Sequence, residues 1–392
     1  MAATPRDPFT NKLLETFRER AAGYDADNRF FADDLVHLGM AGYLAAPVPE
    51  ELGGGGLTLT ELVRSQRRLA AYAPATALGV NMHLVWVQVA RFLHDRGDDR
   101  LDWVLRDAVA GEIFAFGISE AGNDAVLMDS RSSAVPDGEG GYLVSGAKVF
   151  TTLSPVWTRL GLHARDDSDP DAPRVIFGFA RRGGAGVRAA DRGGPGITHP
   201  GQWNPLGMRA TQSWNTTLDQ VPVAAEDVAG SIAPFEPTDP IVLGIFASFS
   251  VLTAAVYAGI ADRALALATE AVRRPAGDGI RLDDPDTAAR LTEAVLEHRA
   301  SLDALEVLAR DVDAQADRED WFLALAAAKN RVTDEARRAV DVAMRFAGSR
   351  GFQADSELAR LYRDVLAGMF HPSDPESAHA TVASAWLGPI EP

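Results

Sequence analysis

Apolar positions recur with three different periods along the chain. Residues 1–110 read as helices. In 30–38 and 59–72 the apolar groups fall at i, i+3 and i+4, the spacing that lines one face of an α-helix. Between them lies APVPEELGGGGL at 46–57, a Pro/Gly loop. Its four glycines follow a proline-rich stretch and not a strand, so they read as a turn and not as a phosphate cradle. From 112 to 230 the period shortens. Tyr142-Leu143-Val144, 174–180 and 214–218 are short β-rich runs, parted by Gly, Asp and Pro clusters at 166–173 and 181–186. From 238 onward long helices rich in Ala, Leu and Arg return, over about 241–273, 285–316 and 318–347, with shorter ones after Ser356. The pattern predicts an α+β architecture without internal repeats. It has a helical N-terminal domain (1–111), a central β domain of sandwich or barrel type (112–237) and a C-terminal four-helix bundle (238–392).

One run needs a separate decision. Residues 241–261, IVLGIFASFSVLTAAVYAGIA, carry no charge over 21 positions, long enough to span a bilayer. Pro240 precedes the run and Asp262-Arg263 follows it. It contains Ser248, Ser250 and Thr253, and no basic loop sets an orientation. It therefore reads as a helix buried on all sides, in a bundle or an oligomer. The first 20 residues alternate charged and polar groups and lack the apolar core of a secretion signal, so the cytoplasm is the expected location.

Composition narrows the chemistry. The net charge is −17, which argues against a broad nucleic-acid or anionic-membrane surface. There is no cysteine, so disulfides, thiolate zinc sites, Fe–S clusters and a cysteine nucleophile are excluded. The eight histidines show no HExxH spacing, and no metal site is expected. A GxSxG elbow, a P-loop and a strand-to-helix GxGxxG are all missing.

Three segments stand out together: AFGISEAGND (115–124), SGAKVFTTLS (145–154) and NPLGMRATQSWNTTLDQVPV (204–223). In this combination the chain resembles the acyl-CoA dehydrogenase superfamily of flavoproteins over nearly its whole length. PVPEELGGGGL resembles that family's N-terminal loop. SEAGND resembles its flavin-contacting segment, two residues shorter than the usual form. GAKVFTT resembles the strand whose Trp-x-Thr lies against the flavin, and LGMRAT the segment before the last strands. GIADRAL (259–265) and AGSRGFQADSELARLYRD (347–364) match in place and order.

The resemblance implies a cofactor, FAD with FMN as the alternative, at the junction of the β domain and the bundle. A flavin ring needs an apolar wall and a few hydrogen-bonding groups at its polar edge. Ser119 with the Ile118 backbone would hold the pyrimidine edge, and Phe116 beside them would also contact the cofactor. Phe150 would supply the wall, with Thr151 beside it and Thr152 near the reactive nitrogen. Read without the resemblance, Phe150 is one inward strand residue and Thr152 its surface neighbour. Arg274 falls where the family places an arginine on the cofactor pyrophosphate, a task suited to a guanidinium. Locally it is a helix-end arginine, and the family's following Phe-Gly is absent. Gly348 and Gly351 resemble a turn that lets backbone approach a neighbouring subunit's cofactor. The family is commonly tetrameric, so a homotetramer or homodimer is expected.

The chain departs from the family where the catalytic base belongs. Acyl-CoA dehydrogenation needs a desolvated carboxylate to take the α-proton. The family's two glutamate slots fall here on Pro372, within MFHPSDPES, and on Phe249. The arginine often found beside the second slot is Ser250. Nearby candidates are His371, Asp374 and Glu376. Histidine titrates near neutrality and can serve as base or acid, though locally His371 also reads as a capping or surface residue. Asp374 reads as the cap of the last helix, in Ser-Asp-Pro-Glu, and Glu376 sits in that helix's first turn.

Three functions follow. The first is flavin-dependent α,β-dehydrogenation of an acyl thioester, passing electrons to an electron-transfer protein. The second is a flavin monooxygenase of the same fold, with His371 at the flavin and reduced flavin supplied by a reductase. Such enzymes resemble this chain in carrying a histidine, often before proline, in that region, and they need neither the glutamate nor the arginine. The third is a flavin-binding subunit without catalysis. Ile245, Phe249, Ser250, Leu252 and Tyr257 on the uncharged helix suggest an apolar cavity for a small acyl or aromatic substrate.

Overall fold

The computed structural model describes residues 7–182, 194–273 and 285–387. Five helices come first: α1 (Asn11–Ala26), α2 (Ala32–Met40), α3 (Leu59–Ala70), α4 (Pro74–His94) and α5 (Asp102–Val109). Eight strands follow: β1 (Phe114–Gly117), β2 (Ser133–Pro136), β3 (Tyr142–Thr151), β4 (Arg159–Asp166), β5 (Arg174–Arg181), β6 (Ile197–Thr198), β7 (Trp214–Val223) and β8 (Val228–Ile232). Five more helices are α6 (Pro240–Val272), α7 (Pro285–Asp313), α8 (Trp321–Ala347), α9 (Glu357–Val365) and α10 (Pro375–Leu387). The apolar runs read at 59–72, 174–180 and 214–218 are α3, β5 and β7. The order of helices, sheet and helices is the one the spacing predicts.

The strands form one sheet in the order β6-β7-β3-β2-β4-β5-β8, and β1 pairs in parallel with β4. Helix α4 covers this region. A Cβ on Gly161 of β4 would come within 2.2 Å of the Trp86 ring, so only glycine lets the indole lie against the strand. Trp86 donates from Nε1 to the carbonyl of Ala115 in β1 at 3.0 Å. That contact fixes α4, and what packs on α4, relative to the sheet.

The uncharged run lies within α6, and 89% of its most apolar window is buried inside the protein. Asp239 caps the helix, accepting from the backbone N–H of Ile241 at 2.9 Å, with Pro240 in the first turn. Helices α3 and α4 from the N-terminal side and α7 and α8 from the C-terminal side all pack on α6. The helix is thus a core spine whose hydrophobicity is satisfied by neighbouring helices.

One buried polar cluster ties four of these helices together. His298 of α7 lies 2.9 Å from Asp262 of α6 through Nε2 and 2.9 Å from Glu335 of α8 through Nδ1. Asp262 also pairs with Arg67 of α3 at 2.5 Å. Burial opposes charge on His298, but the two carboxylates outweigh it and raise its pKa to about 9. A histidine whose pKa rises on folding adds stability that is complete below its unfolded value. That stability is lost as pH climbs through the folded value. We therefore expect stability to fall between about pH 6.5 and pH 9, by on the order of 3 kcal/mol for a shift of this size. Urea unfolding across that range should show the slope, and His298→Gln should flatten it. An equally steep slope in the variant would assign it to another group.

Candidate functional site

The site begins with a fault in a strand. The pairing of β3 with β7 slips between Lys148 and Thr151. Within that bulge Phe150 takes a positive φ of 56°, a conformation that costs a residue with a side chain roughly 1–2 kcal/mol. A bulge re-aims side chains, and here it turns the Phe150 ring out of the sheet, leaving it 52% exposed while Thr151 and Thr152 stay buried. Trp203 meets that ring edge-on, with centroids 6.4 Å apart. The composition-only reading of Phe150 as an inward strand residue is corrected by this bulge.

The adjoining SEAGND segment is held by a buried ion pair. Glu120 Oε1 accepts from Lys148 Nζ at 2.7 Å and from the hydroxyls of Ser132 and Ser130 at 2.6 and 2.9 Å. The backbone N–H groups of Arg131 and Ser132 also donate to this carboxylate. Burial alone would raise its pKa, but the ammonium and the neighbouring donors hold it well below the usual carboxylate range. Lys148 donates further to the carbonyl of His163 at 2.7 Å, and burial lowers its pKa to about 8. This pair was not singled out from sequence. The available signal was Lys148, the one charged residue in SGAKVFTTLS, with the acids Glu120 and Asp124 in SEAGND as its possible partners.

The LGMRAT segment is fixed to α9. A Cβ on Gly207 would strike the Arg363 carbonyl at 2.1 Å, so glycine permits the approach. Asp364 Oδ1 accepts from the backbone N–H of Met208 at 2.5 Å. Burial raises that carboxyl's pKa to about 6. Arg363 pairs with Asp25 of α1. The segment carries a row of hydroxyls. Thr152 Oγ1 and Ser213 Oγ are 2.7 Å apart, Ser213 Oγ and Thr211 Oγ1 2.8 Å, and Thr211 donates to the Met208 carbonyl at 2.9 Å.

Two cavities meet at the junction of sheet and helices. The larger, about 390 Å³, has Phe116, Ser119, Phe150 and Thr152 on the sheet side. The 203–213 segment, Leu78 and Met82 of α4, Phe249 of α6 and residues 363–372 close it. The smaller, about 320 Å³, is lined by Ile118 and the 124–128 loop, by Ile245, Phe246, Phe249 and Ser250 of α6, by Phe322 of α8, and by Pro372, Ser373 and Ser377. Phe116, Phe249 and Pro372 belong to both. The rings of Phe116 and Phe249 stack 5.2 Å apart at 17°, so this pair is the partition between the chambers.

His371 lies beside that partition, just past the turn at Leu366–Phe370. Its Nε2 is 2.7 Å from the hydroxyl of Tyr257. Burial first, and the nearby Lys329 ammonium second, lower its pKa to about 3, so the imidazole is neutral at ordinary pH. Burial pushes the Tyr257 phenol well up. The pair is neutral and shares one proton-mediated contact. Tyr257 itself lines neither cavity. The sequence-based expectation that it touches substrate is corrected, because it stands behind His371.

The loop that carries His371 is clamped from α8. Lys329 is 1% exposed and donates to the carbonyls of His371, Pro372 and Ser373 at 3.3, 3.0 and 2.8 Å. Asn330 adds a bond to the Ser373 carbonyl at 2.9 Å. Burial lowers the Lys329 pKa to about 8. Lys329 was also missed from sequence, although it falls on the same stripe as Leu325, Val332 and Ala336.

The remaining expectations divide. Phe116, Ser119, Phe150, Thr152, Phe249 and His371 line the larger cavity, and Ile118 and Ser250 the smaller. Thr151 is buried beside them, and its hydroxyl has no hydrogen-bond partner among the described residues. Gly348 and Gly351 lie past the end of α8 and line neither chamber. Arg274 lies outside the described residues. Asp374 caps α10, accepting from the backbone N–H of Ser377 at 2.9 Å.

The donor set suits a flavin. A flat tricyclic ring would meet the exposed Phe150 face, with the Ser119 and Thr152 hydroxyls at its edges, and the volume lies in the usual range for cofactor sites. The described lining does not supply a dehydrogenase's base. Around the two cavities and their mouth the carboxylates are Glu120, held by Lys148; Asp374, engaged as a cap; and Asp124, exposed at the rim.

Comparison with known proteins agrees with this architecture. The family models for the acyl-CoA dehydrogenase N-terminal and C-terminal domains match residues 6–99 and 241–371. The chain is 26% identical to the putative acyl-CoA dehydrogenase YdbM of Bacillus subtilis, over 96% of this chain and 95% of that protein. It is 28% identical to the L-evernosamine nitrososynthase of a Micromonospora species, over 91% and 84%. The solved structure of KijD3 in complex with FMN and dTDP-3-amino-2,3,6-trideoxy-4-keto-3-methyl-D-glucose superposes with a TM-score of 0.82. Its identity is 27%, with 97% of this chain and 92% of that one covered. Two matched domains, the sheet set between two groups of helices and the paired cavities at their junction together show that the chain belongs to the acyl-CoA dehydrogenase family.

Proposed function

We propose that the protein is a flavin-dependent monooxygenase on this fold and not a dehydrogenase of acyl thioesters. The observation that carries the reading is His371: a neutral imidazole, fixed by Tyr257, at the partition where a dehydrogenase would present a carboxylate. The nitrososynthase relative adds weight, since a nitroso group carries oxygen on nitrogen, and KijD3 binds FMN.

In this reading Phe150 and Phe116 flank the flavin ring, FMN or FAD, and Thr152, Ser119 and the backbone of Ile118 hydrogen-bond its edge. When bound in its reduced form, the flavin supplies the two electrons that let one atom of O₂ enter the substrate while the other leaves as water. The chain's own residues do the rest. The hydroxyl row of Thr152, Ser213 and Thr211 keeps the edge polar among largely apolar walls. His371 offers one hydrogen bond, or relays one proton by taking it on one ring nitrogen as the other gives one up, and so stays neutral. Tyr257 fixes the ring nitrogen that faces it and is a positioning residue. Of the two roles expected for His371, base or acid, the lowered pKa of about 3 favours one played from the neutral form. A separate flavin reductase would supply the electrons. Gly348 and Gly351, being off both chambers, belong in this reading to a contact between subunits of a homodimer or homotetramer.

The test is anaerobic titration with photoreduced flavin, then admission of air. We expect binding of reduced flavin and an altered rate of re-oxidation. Thr152→Val should weaken that binding about threefold to tenfold, the worth of one hydrogen bond. Bleaching of oxidised, protein-bound flavin by an acyl-CoA under anaerobic conditions would overturn the proposal.

A further inference from the structure

The smaller cavity has walls unlike those of a phosphate-binding site. Its described lining is almost wholly apolar and holds no Lys, Arg or His. The one charged group is Asp124 at the rim, which would repel an anion. Within this apolar lane two hydroxyl oxygens, Ser250 Oγ and Ser373 Oγ, are buried without a hydrogen-bond partner among the described residues. Ser250 is only 2% exposed and sits on α6 beside Phe249, among the residues that line the cavity. A buried hydroxyl left unpaired carries a desolvation cost that a ligand's polar group would remove.

We propose that this cavity receives an uncharged aromatic or alkyl substrate bearing one hydroxyl or N–H group, that Ser250 recognises that group, and that phosphorylated carriers are excluded. The assignment rests on the preceding reading only in placing the flavin in the larger chamber. The volume of about 320 Å³ suits one or two fused rings with substituents. Phe246, Phe249 and Phe322 offer ring faces and edges to such a body, and Phe246 and Phe322 already lie 5.2 Å apart. A phosphate here would be stripped of water with no cation in the described lining to compensate it. Entry from the 124–128 loop would bring the substrate's far end to Phe116, Phe249 and Pro372, beside His371. Ser250 stands one residue from the partition. It would therefore set which end of the substrate lies against the Phe116–Phe249 rings and Pro372.

The test uses three probes that share one apolar body: 2-naphthol, naphthalene and 2-naphthyl phosphate, titrated by fluorescence into the whole protein, with FMN binding measured in parallel. The expected result is binding of 2-naphthol, with 2-naphthyl phosphate at least about tenfold weaker. Ser250→Ala should weaken 2-naphthol about fivefold and leave naphthalene unchanged, because one hydrogen bond is lost and no packing is. Phosphate binding as tight as that of 2-naphthol, or equal losses for naphthol and naphthalene in Ser250→Ala, would overturn the inference. FMN binding without naphthol binding would overturn it too and leave the flavin reading standing. Naphthol binding without FMN binding would do the reverse.

Discussion

Replacing His371 with alanine is expected to slow substrate oxygenation roughly 10²–10³-fold, the usual worth of one preorganised hydrogen-bonding group at a reacting centre. Affinity for flavin should change little, because the groups assigned to the ring edge are Thr152, Ser119 and the backbone of Ile118 and do not include His371. The physical basis is the environment of the imidazole. Burial and the Lys329 ammonium lower its pKa to about 3, and the Tyr257 hydroxyl holds its Nε2 at 2.7 Å. The wild-type rate should therefore show no acid limb near pH 6.5, where a solvent-exposed histidine would titrate. A limb there that vanishes in His371→Ala would mean that the ring titrates near neutrality and that its neutral form works as a base, against the lowered pKa. Wild-type turnover in the variant would remove His371 from the chemistry altogether.

Lys329→Met is expected to lower turnover by about 10², the effect of displacing a reacting group by an ångström or so, without a matching loss of fold. The ammonium spans three successive carbonyls at His371, Pro372 and Ser373. Methionine fills similar volume but donates nothing, so the loop is released while α8 stays packed. Removing a buried charge also removes its desolvation penalty, which offsets part of what the three carbonyls lose. The two readouts are thus expected to separate, with thermal stability staying within a few degrees of wild type while turnover collapses. Parallel losses in both would assign Lys329 to the core, and no loss in either would show that the loop needs no clamp.

Much of this architecture is legible from spacing because helices and strands with one buried face announce their period. The runs that became α3, β5 and β7 are of that kind. Helix α6 is legible differently: a run without charge has no face to show, and only its flanking Pro240 and Asp262-Arg263 argue for a spine inside the protein. At the site, Phe116, Ser119, Phe150, Thr152 and His371 were reachable through the family resemblance, since each falls within or beside a motif. What could not be read was direction. The bulge that aims Phe150 outward depends on a register slip against β7, 60 or more residues away in the chain. Tyr257 looked like a cavity residue because its neighbours on α6 are, yet its position on the helix turns it under His371. Glu120, Lys148 and Lys329 escaped notice because a charge in a sequence is ordinarily solvated, and nothing local says that it will be buried.

The stacked Phe116–Phe249 pair and Pro372 make a thin septum common to both compartments, with one ring contributed by the sheet and the other by the long central helix. In the proposed reading the long helix shapes the smaller chamber through 245, 246, 249 and 250, and of these only Phe249 also faces the redox compartment. Diversifying 245, 246 and 250, which line the smaller chamber alone, should retrain the choice of molecule with the least disturbance of the oxidant, whereas position 249 would alter both.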